Sequence, residues 1–273
     1  MKPDRLPGHS PEHGQYLRAL RRKERFITAM RYLALVFLLG LWELFAQTGV
    51  IDPFIGSSPL RVAATIARLY EGGELFLHIG VTLFETVVGF LLGTAAGTLI
   101  AVLLWWSPTL SRIIDPYLVV LNALPKIALG PILIVWFGAG VASIIAMGLL
   151  ISLVVTIMTV LAGFNEIAVD KHLLMRTLGA SKLQIFAMVV FPASIPTIMN
   201  ALKISVGMSW VGVIVGEYLV SRAGLGYLIV YGGQVFKLDL VMASIVILCV
   251  LAALMYYAVA YAEKRLIQWR SHG

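Results

Sequence analysis

Apolar residues in this chain are gathered into long runs instead of alternating with polar ones. Runs near 32–48, 79–105, 116–137, 141–163, 198–221 and 240–262 each approach or exceed the roughly 20 residues with which an α-helix crosses a bilayer core. The pattern predicts an all-α polytopic membrane protein of about six spans. Between the runs lie a polar tail (1–31), an outer segment (49–78), a long loop (164–197) and a short C-terminal tail (263–273). The N-terminal tail is polar and dotted with Pro and Gly up to Gly14, then reads as a basic helix lying on the membrane surface. In the outer segment Ser58-Pro59 opens a helix whose stripe is Val62, Ile66 and Leu69, stopped by Gly72-Gly73. No fixed-period repeat and no low-complexity tract interrupts this plan.

Composition sharpens the class. The 273 residues are 60% hydrophobic and only 13% charged, against about 45–50% and about 25% in ordinary soluble domains, and the mean hydropathy is +0.92. That excludes a soluble globular enzyme. The net charge of +7 does not indicate nucleic acid, because the basic residues bank against span ends. With the N-terminus inside, the inner segments carry fifteen Lys and Arg and the outer ones four, Arg61, Arg68, Arg222 and Lys237. The positive-inside rule therefore places both termini in the cytoplasm. The tail followed by Leu33–Ala46 is not read as a signal peptide, since the run contains Glu43 and lacks a small-residue cleavage site. The single cysteine, Cys249, lies in an apolar run and is read as packing.

The 164–197 loop is the most informative stretch. From Glu166 it reads EIAVDKHLLMRTLGASKLQIFAMVVFPASIP, which predicts helix, sharp turn, helix. The first helix is polar through Asp170, Lys171, His172 and Arg176, with Leu174 and Leu178 one turn apart. Gly179 ends it in a left-handed conformation. Ser181 and Gln184 have the spacing of a capping box, so a second helix starts at Ser181 after Ala180, and Pro192 and Pro196 mark where it gives way to the next span. A short amphipathic helix fixed beneath a bundle suits docking into a groove on a cytoplasmic partner, or it is a surface helix that only joins two spans.

This stretch resembles the cytoplasmic signature of ABC importer permeases: E-A-A, three residues, G, nine residues, I-x-L-P. Gly179, Val189, Phe191 and Pro192 fall at the matching spacing, while Leu173, Leu174 and Met175 occupy the E-A-A positions. RTLGASKLQIF with PASIP, ALPKIALGPILIVWFGAG (123–140) and SWVGVIVGEYLVSRAGLGYLI (209–229) are similar to the sulfonate, taurine and nitrate branch of these permeases. The resemblance, over roughly 41–270, implies a type I importer transmembrane fold at 32–262 in a bacterial inner membrane. It implies a pair of permease subunits, two cytoplasmic ABC ATPases that bind ATP and Mg, and an extracytoplasmic solute-binding protein. The loop would be the coupling element, with Leu174, Arg176, Leu178, Gly179, Ala180, Ser181, Gln184 and Pro192 as its residues.

Within the spans, Gly89, Gly93 and Gly97 clear one face for close helix approach, with Ala101 continuing it. The partner is a helix of the same chain, the preferred reading, or one across a dimer. The third span carries Pro125, Gly130 and Pro131 and is the candidate pathway helix, since freed backbone groups at membrane depth need protein or a water-filled cavity. Glu43, Glu85, Lys126, Lys203 and Glu217 are the intramembrane charges. Lys126 is favoured as a pathway residue; Lys126 and Lys203 otherwise snorkel to the cytoplasmic side. Glu217 near an outer span end pairs or reaches water, Glu43 and Glu85 read as internal polar glue, and Trp210 gates a substrate or simply packs. No G-x-x-x-x-G-K-[ST] occurs, the five histidines have no metal-site spacing, no catalytic constellation appears, and Gly224-Leu225-Gly226 is a turn signal, not a nucleotide fingerprint. The sequence therefore reads as a translocating subunit for a small, anionic solute such as taurine, an alkanesulfonate or nitrate, binding no cofactor itself. The competing readings are an ion-coupled secondary transporter or channel and, third, an intramembrane enzyme.

Overall fold

The structure, a computed structural model, describes residues 11–267. It divides into a first unit ending at Ala64 and a second beginning at Thr65. In the first unit α1 (Pro11–Gln47) is a single helix of 37 residues. Its backbone passes unbroken through Gly14 and through the expected tail boundary at 31, because no proline lies between Pro11 and Pro53 and the intervening Leu, Arg, Lys, Glu and Ala are good helix formers. Only Arg22–Gln47 is long and apolar enough to cross a membrane. After α2 (Pro53–Gly56), helix α3 (Pro59–Glu71) starts and stops where the sequence reading placed it. Glu43 is polar glue here: its carboxylate accepts from the Leu60 N–H at 3.1 Å, at the start of α3, and from Gln47 Nε2 at 3.0 Å. Trp42 Nε1 donates to the Gly56 carbonyl at 3.3 Å.

The second unit is built on α4 (Glu74–Trp106), α7 (Val141–Asn165) and α10 (Phe191–Val220). Glycines set the two seams. A Cβ at Gly89, Gly93 or Gly97 would lie 3.3, 3.2 and 3.1 Å from the carbonyl oxygens of Ile145, Leu149 and Leu153, so the small-residue stripe packs within the chain, as preferred. Both numbers rise together along that seam, so α4 and α7 run parallel. On the other side Gly216 meets Ile144, Gly212 meets Gly148 and Ser194 Oγ donates to the Gly163 carbonyl at 3.2 Å, which makes α7 and α10 antiparallel. Thr156 and Ser205 hydroxyls pair across this seam at 2.7 Å.

The parallel seam decides a topological question. Between α4 and α7 lie α5 (Pro108–Ala123), a 3₁₀ turn (Lys126–Leu129) and α6 (Gly130–Phe137), and the two halves of this segment meet at 92°. A re-entrant loop would return the chain to the face it left and make α7 antiparallel to α4. The broken pair therefore crosses as one span, giving six with α1, α4, α7, α10 and α12 (Leu238–Ile267). The third span expected at 116–137, with its Pro125, Gly130 and Pro131 interruptions, takes the form of this corner. Pro125 and Pro131 lack the N–H groups a continuous helix would need there.

α8 (Val169–Thr177) and α9 (Lys182–Ile185) follow α7. From Lys182 the helix continues to Val220, widening to a π turn at Phe186–Val190 just before Pro192. The expected handover at Pro192 and Pro196 is thus corrected. Pro192 opens α10 and Pro196 lies inside it, and the widened turn accommodates the missing N–H of Pro192. The span expected at 198–221 is the C-terminal part of this longer helix. α11 (Leu225–Gln234), which follows the Gly224-Leu225-Gly226 turn signal, buries Leu225 and Leu228 with Leu75, Leu240 and Ile247. α12 runs antiparallel to α10, tied by Lys203 Nζ to Glu263 at 2.9 Å. Lys203 is therefore paired. Cys249 is exposed on the chain, not packed in it.

Candidate functional site

The turn after α8 is closed by hydrogen bonds that the glycine permits. Gly179 has φ 78°, its N–H reaches the Arg176 carbonyl at 2.9 Å, and the Ala180 N–H reaches Met175 at 3.0 Å. This is a Schellman motif, satisfying carbonyls that a helix end leaves orphaned. Two residues on, the capping box forms: Ser181 N–H donates to Gln184 Oε1 at 2.7 Å, and Gln184 N–H donates to Ser181 Oγ at 3.3 Å. Two caps back to back make a rigid corner from local sequence alone.

The corner has two faces. Met175, Ala180 and Phe186 pack inward on a cluster formed by Leu104, Phe164, Ile185 and Ile198, at the ends of α4 and α7 and the start of α10. Lys182 Nζ donates to the Trp106 carbonyl and lies 5.6 and 5.5 Å over the Trp105 and Trp106 rings. The outward face carries Leu174, Leu178 and Leu183, exposed to 60%, 75% and 63%. Leu178 stands at the helix end, so the expected Leu174–Leu178 stripe is a knob around the corner. The inner face of the turn thus packs against the ends of three long helices, α4, α7 and α10.

The expected pathway residues separate into two groups. Pro125 and Pro131 are exposed and Lys126 is half-buried at the corner of the third span, where Lys126 Nζ donates to the Asn122 carbonyl at 3.1 Å and so caps α5. Trp210 and Glu217 lie inside the helix core. Trp210 packs with Phe90 and Val206, and its Nε1 has no partner among the described residues.

Of the two readings of Glu217, pairing or reaching water, the structure has the first: it is a buried cap, 1% exposed. The first N–H groups of α11 are each met by a side chain from another helix. Gly224 N–H donates to His78 Nδ1 at 2.9 Å, Leu225 N–H to Thr82 Oγ1 at 2.7 Å, and Gly226 and Tyr227 N–H to Glu217 Oε2 at 2.6 and 3.4 Å. A Cβ at Gly224 or Gly226 would collide with that carboxylate, which is why the turn needs Gly-Leu-Gly. Glu85, also 1% exposed, lies beside Glu217, and neither of its oxygens has a hydrogen-bond partner among the described residues. His78, Thr82 and Glu85 recur three and four residues apart, one polar face of α4; that spacing was the signal the sequence reading passed over.

Comparison with known proteins follows this geometry. Residues 89–268 match the model of the binding-protein-dependent transport system inner membrane component family. The chain belongs to this family. It is thus a permease subunit of an ABC importer and a multi-pass inner-membrane protein, of the sulfonate and taurine branch. It is 31% identical over 86% of its length, and 85% of the relative's, to the putative aliphatic sulfonates transport permease SsuC of Bacillus subtilis (strain 168). It is 25% identical, over 88% of each chain, to the taurine transport permease TauC of Escherichia coli (strain K12). A solved methionine ABC transporter, MetNI, superposes with a TM-score of 0.62 at 21% identity, covering 69% of this permease and 94% of that chain. That likeness supports the fold: an all-helical type I importer transmembrane domain. Family membership decides against both the ion-coupled reading and an intramembrane enzyme.

Proposed function

We propose that this permease pairs with a second copy, that the coupling loop 164–197 of each copy sits on one of two cytoplasmic ATPase subunits, and that the solute comes from an extracytoplasmic binding protein. The exposed leucine knob on a rigidly capped, core-anchored turn carries the reading. Such a surface is costly to leave in water and is suited to a groove. ATP and Mg are bound by the partner. ATP-driven closure of the ATPase pair moves the corner, and α4, α7 and α10 rock with it between inward-open and outward-open arrangements; the site biases a two-state element, as coupling requires. The fifteen-to-four bias of basic residues places both termini and the 164–197 loop in the cytoplasm, with 1–31 and 263–273 as its tails.

The solute is a small anion, taurine, an alkanesulfonate, nitrate or a related organic acid, in keeping with the names of the relatives. Lys126 at the corner of the broken span, with Pro125 and Pro131 shaping it, offers a positive group along the path. Trp210 and Glu217 hold the walls of that path from behind. Purifying the tagged chain from its host in mild detergent and identifying what accompanies it by mass spectrometry tests the assembly. A stoichiometric P-loop ATPase is expected, and a co-purifying binding protein screened for ligand names the solute. Recovery of the chain alone, transporting under an ion gradient without ATP, would overturn the proposal.

A further inference from the structure

A cavity of about 400 Å³ lies between the α4–α5 corner and the coupling turn. Arg112, Arg176, Lys182, His172 and Asn165 line it with Trp105, and no Asp or Glu is among its lining residues. Neither Arg112 nor Arg176 has an ion-pair partner among the described residues, where the Lys203–Glu263 pair is the salt bridge found. Three cations drawn from α5, α8 and α9 therefore line one small space that has no carboxylate in its walls. Like charges brought together in this way repel, and an anion bound among them relieves that repulsion. The floor is apolar, from Leu104 and Phe164, and the indoles of Trp105 and Trp106 sit beside Lys182, the pairing of aromatic and basic groups found at headgroup level in a bilayer.

We propose that this cavity binds a single phosphate-class oxyanion, held by the Arg112 and Arg176 guanidinium groups against the back of the coupling turn. Guanidinium is suited to such a ligand because its planar fork donates two parallel hydrogen bonds to two oxygens of one anion. Two sources present this chemistry on the cytoplasmic side: the phosphodiester of an anionic phospholipid headgroup and free inorganic phosphate. Basic pockets between spans on that side are known headgroup sites, and a cavity of this size falls in the range of ligand pockets. The site extends the coupling reading, since Arg176 and Lys182 flank Gly179, but binding itself does not depend on the ATPase.

Native mass spectrometry of the purified full-length chain in a neutral detergent tests it, with dioleoyl-phosphatidylglycerol, dioleoyl-phosphatidylcholine and inorganic phosphate as probes and Trp fluorescence as a second readout. Selective retention of phosphatidylglycerol over phosphatidylcholine, weakened at least tenfold in the Arg112→Gln/Arg176→Gln double variant, supports the site and assigns it to lipid. Phosphate alone binding, perturbing Trp fluorescence and weakened equally by the double variant, supports it and assigns it to the free anion. No selective binding of either probe, or binding unchanged in the double variant, would overturn it. Both arginines are exposed on the chain, and a melting curve matching the unmodified protein checks that the variant folds. Because the readout is binding to the permease alone, failure of the coupling proposal would leave this result intact.

Discussion

Replacing Gly212 by alanine adds one methyl group at a point of the α7–α10 seam where backbone meets backbone. The new Cβ would stand 2.6 Å from Gly148 Cα, 2.8 Å from the Met147 carbonyl oxygen and 2.9 Å from Gly148 N. Carbon atoms rest at about 3.5–4.0 Å, so the shortfall is roughly 1 Å. All three neighbours are backbone, and no rotamer change relieves them. The helices must separate, and the Gly216–Ile144 and Gly148–Val213 contacts on the same seam loosen with them. Overpacking of this kind costs about 1–3 kcal/mol, occasionally more. Gly207 supplies the control on the same helix: nothing lies within 4 Å of its added Cβ, so Gly207→Ala is expected to be neutral or to gain at most about 1 kcal/mol of helix propensity. Unfolding of the two variants in mixed micelles, followed by circular dichroism, should separate them by about 1–3 kcal/mol, the helix-propensity gain being common to both, with Gly212→Ala the less stable. Equal midpoints, or a more stable Gly212→Ala, would refute the packing argument.

Other expectations follow from the corner and the caps. Gly179→Val puts a β-branched residue at φ 78°, where a side chain costs about 1–2 kcal/mol though its Cβ meets nothing within 4 Å; it should leave the fold intact and uncouple ATP hydrolysis from uptake in proteoliposomes, with Gly179→Asn milder, and wild-type coupling for Val would sink the idea. Glu217→Ala removes the acceptor of two α11 N–H groups, so faster amide exchange across 225–234 is expected than in Glu85→Gln, which supplies an amide donor beside Glu217; equal exchange in both would contradict the capping role. The half-buried Lys203–Glu263 pair should show a coupling energy of up to about 1 kcal/mol in a double-mutant cycle, and a coupling indistinguishable from zero would mean the pair holds nothing.

How legible each feature was depended on the distance over which its cause acts. The Gly179 turn and the Ser181–Gln184 box were readable because a cap is made within four residues of itself. The Gly89, Gly93 and Gly97 stripe was readable because a helix face repeats every turn. α11 was not, since its first hydrogen bonds come from His78 and Thr82, about 145 residues earlier in the chain. For Glu217 the sequence left pairing and contact with water both open, because a pattern of apolar residues on every side of a span does not say which face meets protein. Pro125 and Pro131 signalled a break but not its 92° angle, which the Gly130 approach to Met147 and Leu219 also shapes. The unbroken helix from Lys182 to Val220 was hidden because Pro192 sits where a π turn absorbs it.

The coupling turn is the centre of the account, and a photoactivatable cross-linker on Leu178→Cys, in a chain whose one cysteine is removed by Cys249→Ser, tests it in native membranes. The account predicts a cross-linked product whose partner, identified by mass spectrometry, is a P-loop ATPase, and loss of that product when the cross-linker is moved to the exposed Val135. Cross-linking to lipid or to the chain itself, with no ATPase at position 178, would contradict it.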